Sequence, residues 1–131
     1  MKFYAWILSA ILGMSAFLAH AKSPDFGTVF QQFPAVMLLI DPQSGQIVDA
    51  NPAAVEFYGY SLATLKTMTI QQINTLSEQQ VAEERELAAL QARNYFIFQH
   101  RLANGETRRV EVFSRAFQFG NRLLLLSTII D

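Results

Sequence analysis

The sequence predicts an α+β domain, in which five strands form one antiparallel sheet and the helices pack on one face of it. The chain has 131 residues, a length that suits a single domain of ordinary size. Helical signals concentrate between residues 51 and 93, while extended, β-rich segments lie before and after them. Because two strands precede the helices and three follow them, the predicted order is β-β-α-α-α-β-β-β.

The composition excludes several classes of protein. Hydrophobic residues make up 51% of the chain and charged residues 16%, which is typical of a folded protein. The 10 Lys and Arg residues nearly balance the 11 Asp and Glu residues, so we expect no nucleic-acid partner. The chain has no cysteine, which excludes disulfides, thiolate nucleophiles and cysteine-ligated metals.

The first 21 residues have the pattern of a secretory signal peptide. Lys2 precedes an apolar stretch from Phe3 to Ala19, and a small-x-small pattern then ends at Ala21. As a helix this stretch would span about 26 Å, less than the ~30 Å hydrocarbon core of a bilayer. Cleavage after Ala21 is therefore expected, with an uncleaved membrane anchor as the alternative. In both cases we expect a periplasmic or otherwise extracytoplasmic domain.

Residues 22–33 predict a short helix that caps the domain proper, which we expect to span residues 34–131. Apolar side chains recur at i, i+3, i+4 and i+7 from Phe26 onward, and Pro34 ends the pattern. The pattern predicts an amphipathic cap helix that covers an apolar surface.

Capping residues divide the middle of the chain into three predicted helices. Asn51 is a good N-cap ahead of a proline, and Gly59 ends the helix that follows. Ser61 can cap a second helix, while Ser77 and Gln80 form the capping-box pattern of a third. The predicted helices cover residues 52–58, 62–68 and 78–93.

The β-rich segments predict five strands. They cover residues 35–40, 46–50, 95–102, 107–119 and 122–130. Asn104 and Gly105 predict the hairpin between the third and fourth strands. The run from Leu123 to Leu126 is apolar on both faces, which predicts a central strand that is covered on both sides.

These segments, in this order, resemble the PAS domain. The resemblance spans Phe33 to Asp131 and rests on short motifs in sequence. These are the apolar run ending at Asp41 with Gly45 in the turn, Ile47 to Asn51 followed by Ala53-Ala54, Tyr58-Gly59-Tyr60-Ser61, Phe98 to Glu106, Val110-Glu111-Val112 and the final Ile129-Ile130-Asp131.

The resemblance implies a sensory module of a bacterial signal-transduction protein and not an enzyme in itself. Such a module binds a small molecule between its helices and its sheet, or simply dimerises. It passes a conformational signal through the last strand to an output domain such as a histidine kinase or a diguanylate cyclase. On this interpretation the chain is a piece of a longer sensor.

Candidate ligand-binding residues come from the first helix and from two strands. They are Phe57, Tyr58, Phe98, His100, Val112 and Ser114. His100 is the histidine that remains after signal cleavage, and it can hydrogen-bond a ligand or titrate near neutral pH; a purely structural role is the alternative. Ser114 is a candidate polar group in an apolar cavity. No residue is assigned to catalysis or to a metal.

The cofactor stays unidentified, but the resemblance disfavours two groups. The flavin-adduct branch of the family needs a cysteine on the helices between Asn51 and Arg93, and the chain has none. The haem-binding branch typically uses a histidine on the long helix, and residues 78–93 contain none. The chain also lacks the glycine that the family often has near Thr67.

Three aromatic residues of the fourth strand alternate away from the helices: Phe113, Phe117 and Phe119. A contiguous patch of this kind is seldom left in water. We expect it to be covered by the cap helix through Phe26 and Phe30, by a second copy of the chain, or by both. A homodimer is therefore the expected assembly.

Two other functions stay open. One is an interaction module whose core is filled and holds no ligand. The other is a small pocket enzyme in which an Asp or a His, with Asp49 and His100 as the candidates, transfers a proton. It requires an inward-facing carboxylate, and the place of Asp49 just before Asn51 favours a turn role instead. The charged run at residues 83–86 predicts a solvated helix face, paired from Glu86 to Arg93, and not a catalytic group.

Overall fold

The computed structural model describes residues 25–131, so the predicted signal peptide lies outside the described residues. Its elements are α1 (Phe26–Gln32), β1 (Val36–Ile40), β2 (Ile47–Ala50), α2 (Pro52–Tyr58), α3 (Leu62–Leu65), α4 (Ile70–Ile73), α5 (Glu78–Ala89), β3 (Tyr95–Arg101), β4 (Thr107–Phe119) and β5 (Arg122–Ile130). Within this range no helix is long and apolar enough to cross a membrane.

The five strands form one antiparallel sheet in the order β2-β1-β5-β4-β3, which confirms the predicted α+β class. The leucine-rich β5 is the central strand, as its composition predicts. Leu124 and Leu125 point to opposite faces and are both buried, at 4% and 2% exposure. Leu123, at the start of the strand, is 42% exposed, so the first part of β5 is not covered on both faces.

Two faces of the sheet carry different helices. The face with Leu38, Val112 and Leu125 packs in one apolar core with side chains of the helices between β2 and β3. The opposite face, here called the outer face, is covered in part by α1. Phe30 of α1 is buried there, and the Phe26 ring lies 5.2 Å from the Phe119 ring.

Asn51 caps α2 and also ties it to β1. Its Oδ1 accepts hydrogen bonds from the backbone N–H of Ala54 and of Met37, each at 3.0 Å. Its Nδ2 donates to the Ala35 carbonyl at 2.7 Å. Gly59 ends the helix with a φ of 79°, a left-handed conformation that glycine adopts without strain. The predicted bounds of this helix are confirmed.

The middle of the chain has four helices, so the prediction of three is wrong. The helix capped by Ser61 ends at Leu65 instead of continuing to residue 68. A separate turn of helix, α4, then begins after Thr69. The backbone N–H of Thr69 donates to Gln72 Oε1 at 2.9 Å, which gives this short segment a defined start.

The long helix α5 ends at Ala89, four residues earlier than predicted. Leu90 is its C-cap, and Gln91 adopts a φ of 56°, which turns the chain out of the helix. The backbone N–H of Arg93 then bonds to the Leu87 carbonyl in an irregular turn. The sequence has no glycine or proline here, so the usual signals for a helix end are absent.

Candidate functional site

A cavity of about 40 Å³ lies between α5 and the inner face of the sheet. Most of its wall is apolar and comes from α5 and from strands β1, β3, β4 and β5. Its polar side chains are Asn74, Glu84, Arg85, His100, Ser114 and Ser127. An apolar space with a few convergent polar groups is the usual form of a small-molecule site.

The structure places four of the six predicted ligand-binding residues on the cavity wall: Phe98, His100, Val112 and Ser114. Tyr58 does not line the cavity but contacts a residue that does, since its Oη is 2.8 Å from His100 Nδ1. Phe57 is elsewhere, with its ring packed edge-on against Tyr58 at 4.9 Å. Four further polar residues line the cavity without a sequence pattern that marks them as ligand-binding: Asn74, Glu84, Arg85 and Ser127.

His100 is the most buried polar group on the cavity wall, at 1% exposure. Burial lowers the pKa of its imidazole from 6.5 to about 4, so the ring is neutral near pH 7. Burial also raises the pKa of the Tyr58 phenol, which keeps its proton. Nε2 of His100 is buried and has no hydrogen-bond partner among residues 25–131.

Three rings of β3 form a row along the inner face. Phe96 and Phe98 stack with centroids 5.4 Å apart and planes 8° from parallel. The His100 ring continues the row, 6.0 Å from Phe98 and 16° from parallel. The row follows from alternation, since every second residue of a strand points to the same face. It places three aromatic side chains side by side on one wall of the cavity.

Ser114 and Ser127 form a polar pair across β4 and β5. They are register partners, and their Oγ atoms are 2.6 Å apart. Ser114 thus has the polar, cavity-facing position that alternation predicts. Ser127 was missed because its role depends on the register of β5 against β4, which its leucine-rich neighbours do not reveal. Because one hydroxyl donates its proton to the other, the pair can still donate one O–H to a ligand, and both oxygens can accept.

Arg85 is buried, which corrects the prediction that residues 83–86 form a wholly solvated helix face. Its Nε donates to the Pro42 carbonyl at 3.2 Å and its Nη2 to the Gln43 carbonyl at 3.0 Å. Its Nη1 donates to Gln71 Oε1 at 3.0 Å. Since these acceptors lie in the β1–β2 turn and on α4, Arg85 fastens the long helix to both.

Glu84, and not the predicted Glu86, is the ion-pair partner of Arg93. Arg93 Nη1 lies 3.5 Å from Glu84 Oε2. That oxygen is buried at the cavity and makes no hydrogen bond within the described part of the chain. Within residues 25–131, the cavity therefore has one buried imidazole nitrogen and one buried carboxylate oxygen without hydrogen-bond partners.

The structure does not bring Asp49 and His100 together. Asp49 is the register partner of Leu39 and lies on the outer face, beside Phe30 of α1. Its Oδ1 accepts a hydrogen bond from the backbone N–H of Ala50, which is the local turn role of such a residue. Across residues 25–131, no group of three His, Asp or Glu side chains could hold a metal ion.

The outer face is only partly covered. Phe119 contacts Phe26, but Phe113 and Phe117 are 47% and 43% exposed. Other large side chains on this face are also exposed, namely Tyr95, Ile97 and Ile130. The cap helix therefore covers one end of the aromatic surface and leaves the other end open.

The chain is similar to a bacterial signalling enzyme along part of that protein's length. It is 36% identical over 114 residues to the diguanylate cyclase DgcM of Escherichia coli K12. The match covers 85% of this chain but only 28% of the relative. The same protein from Escherichia coli O157:H7 matches equally well.

Solved structures share the fold at lower sequence identity. A PAS domain from Desulfitobacterium hafniense superposes with a TM-score of 0.74 at 16% identity, over 79% of this chain and 98% of that one. The PAS domain of an HTR-like protein from Haloarcula marismortui gives a TM-score of 0.72 at 17% identity, over 97% and 98%. The sequence profile of a family described as PAS domain matches residues 26–92. The chain belongs to the PAS domain family.

Proposed function

We propose that this PAS domain is the ligand-binding sensory module of a longer signal-transduction protein. The cavity between α5 and the sheet carries the proposal, because it combines an apolar wall with a buried His100 Nε2 that has no hydrogen-bond partner in the described part of the chain. The match to 28% of a diguanylate cyclase supports an output domain of that kind, with a histidine kinase as the other candidate. The activity would belong to that output domain.

A signal requires that the ligand bind two conformations with unequal affinity. The long helix α5 is the element best suited to differ between them. Only three of its 12 residues are buried, Val81, Arg85 and Ala88, so little apolar contact holds it on the sheet. Because α5 packs on β4 and β5, its movement would reach the chain where β5 ends.

One ion pair between exposed side chains joins the end of β5 to β4. Arg108 on β4 forms an ion pair with Asp131 and a second one with Glu106 at 2.9 Å. Asp131 directly follows β5, so its carboxylate marks the point at which the strand would pass a displacement onward. Breaking this pair is expected to weaken signalling more than ligand affinity.

A thermal-shift screen of bacterial metabolites tests the proposal. A ligand at roughly 100-fold excess over its Kd should raise the Tm by several degrees. Ala88→Leu fills the cavity from α5 and should abolish the shift, whereas Ala82→Leu, at an exposed site of the same helix, should preserve it. An equal response in both variants would place the ligand elsewhere and contradict the proposal.

We further propose that the domain functions on the exterior side of the membrane, which is the periplasm in a bacterium with two membranes. The support is the charged start, apolar stretch and small-x-small end of residues 1–21. Fusions of the chain to alkaline phosphatase and to β-galactosidase in a bacterial host test it. Phosphatase activity with silent galactosidase is expected, and the reverse result would refute the location.

A second candidate function is homodimerisation through the outer face. The observation that favours it is the contiguous exposure of Phe113, Phe117 and Ile97 beside a cap helix that leaves them open. An apolar patch of this kind commonly marks a protein interface. Sedimentation equilibrium should give a dimer, and a strict monomer at high micromolar concentration would exclude this function.

A further inference from the structure

We propose that the cavity selects an uncharged ligand by its hydrogen-bond acceptor, a ketone, aldehyde or amide oxygen that accepts the Nε2–H of His100. This inference rests on the proposed ligand-binding function and adds the chemical class of the ligand. Three features of the cavity carry it: the tautomer of His100, the charges that surround the space, and the aromatic row of β3.

The tautomer follows from the contact between Tyr58 and His100. The phenol and the imidazole are each almost fully buried, and 2.8 Å separates Tyr58 Oη from Nδ1. A buried phenol has one proton to donate, and Nδ1 is the acceptor that it meets. With Nδ1 accepting, the proton of the neutral ring is on Nε2. His100 therefore presents an N–H donor to the cavity.

That donor has no acceptor in the described protein, although His100 lines the cavity. A buried donor without a partner destabilises the fold, and nearly all such groups in proteins are paired. A ligand oxygen at Nε2 would remove this penalty. The binding free energy of such a ligand thus includes a contribution that an apolar molecule of the same shape cannot make.

The charged groups at the cavity favour a ligand without charge. An anion would meet the carboxylate of Glu84 and a neutral imidazole, while three nitrogens of the Arg85 guanidinium already donate to protein acceptors. A cation would meet the N–H of His100, and Arg93 already neutralises Glu84 from 3.5 Å. An uncharged molecule avoids both conflicts.

The aromatic row indicates the rest of the ligand. Phe96, Phe98 and His100 line one wall as a row of stacked aromatic side chains, which suits an apolar body next to the acceptor oxygen. The present space of about 40 Å³ is below the ~150 Å³ of a cavity that holds benzene. A ring-bearing ligand must therefore displace α5, which has three buried residues and which Arg85 ties to the β1–β2 turn and to α4.

Three small probes test the inference on the full chain. Acetophenone has a planar ring and a ketone, α-methylstyrene has the same shape without the acceptor, and benzoate adds a negative charge. Titrations followed by NMR of Val112 and Ile129 methyl groups should show acetophenone binding about fivefold or more tightly than α-methylstyrene. Benzoate should not bind measurably, and acetophenone should shift the ¹⁵N resonance of His100 Nε2.

Variants assign the preference to one nitrogen. The double variant Tyr58→Phe with His100→Phe removes the donor and also leaves no unpaired phenol, so the fold should survive. In this variant acetophenone and α-methylstyrene should bind with about equal affinity. His100→Gln retains an N–H donor at similar reach and should keep a preference. A preference that persists in the double variant would overturn the inference.

The outcomes separate this inference from the proposed function. Equal binding of acetophenone and α-methylstyrene at the cavity, with an unchanged Nε2 resonance, would overturn the acceptor inference and leave a ligand-binding cavity in place. Tighter binding of benzoate would overturn the selection of uncharged ligands. If no probe and no metabolite perturbs the methyl groups at the cavity, the inference and the proposed sensory function both fail.

Discussion

Neighbouring residues of β4 have opposite environments on the two faces of the sheet. Val112 and Ser114 are buried beneath the helices, at 5% and 7% exposure, whereas Phe113 and Phe117 remain 47% and 43% exposed. The larger and more apolar side chains are thus the more exposed ones. Burial in this domain is decided by what covers a face, and the inner face gains its cavity because small residues such as Ser114 leave space there.

The two faces are also polar in different ways. On the inner face the polar atoms are few and buried, and Tyr58 forms one hydrogen bond with His100, whose Nε2 has no partner among residues 25–131. On the outer face Tyr95 bonds to Glu111 at the surface, where water can replace either partner. The same type of contact should therefore contribute more to stability on the inner face.

The largest expected effect compares two leucines of β5 that point to the same side. Leu125 is 2% exposed and lines the cavity, while Leu123 is 42% exposed at the strand start. Leu125→Ala should lower the free energy of unfolding by about 2–5 kcal/mol, through lost burial and a larger cavity. Leu123→Ala should lower the free energy of unfolding much less, and urea unfolding of both variants measures the difference. Similar losses would show that cover by the helices is not what distinguishes these sites.

The next effect is a pH dependence that comes from the inner face. The pKa of His100 is about 4 in the folded chain and 6.5 in the unfolded chain, so the unfolded chain binds the extra proton between these values. Stability is therefore complete above pH 6.5 and falls as the pH drops to 4, by up to about 3 kcal/mol. Urea unfolding across this window measures it.

The double variant Tyr58→Phe with His100→Phe is the control for this dependence. It removes the titrating group and should flatten the slope between pH 6.5 and 4. The lowered pKa of Asp41, which its hydrogen bond from the Ser44 backbone mainly causes, acts at lower pH and should persist in the variant. An unchanged slope would assign the dependence to groups other than His100.

A smaller effect separates the two tyrosine contacts. Tyr58→Phe leaves His100 Nδ1 without its buried donor and should cost about 1–3 kcal/mol of unfolding free energy. Tyr95→Phe removes an exposed bond to Glu111 and should change stability little. Thermal unfolding of both variants measures the difference. Equal losses would contradict the expectation that a tyrosine hydrogen bond stabilises the fold more on the buried inner face than at the surface.

The smallest expected effect on stability belongs to the outer face. Phe117→Glu should change the free energy of unfolding by about 0.5 kcal/mol or less, because the site is already wet. It should nevertheless weaken self-association at least tenfold in sedimentation equilibrium, if the outer face is the dimer surface. Leu90→Glu, at a 71% exposed site on the other side of the sheet, is the control and should leave association unchanged.

Local signals account for what the sequence predicted well. The alternation of β4, the Asn104-Gly105 turn and the Asn51 cap each depend on neighbouring residues, and the structure has all three. The inward positions of His100 and Ser114 follow from the same alternation. Such features can be predicted without knowing which distant segments of the chain contact each other.

The missed features depend on contacts between distant segments or on weak stop signals. Arg85 sits among glutamates in sequence, and its burial arises from carbonyls 42 and 43 positions earlier in the chain. No glycine or proline marks the early end of α5 in the sequence, and α4 is a single turn, too short to give a clear helical pattern. The pairing of Ser114 with Ser127 required the strand register.

The central place of β5 in the sheet has a consequence for synthesis of the chain. In the order β2-β1-β5-β4-β3, the last strand to leave the ribosome is the one that joins the β1–β2 hairpin to the β3–β4 hairpin. Until residues 122–130 emerge, each hairpin exposes an unpaired edge that invites pairing with other nascent chains. This domain can therefore close only after residues 122–130 have been synthesised.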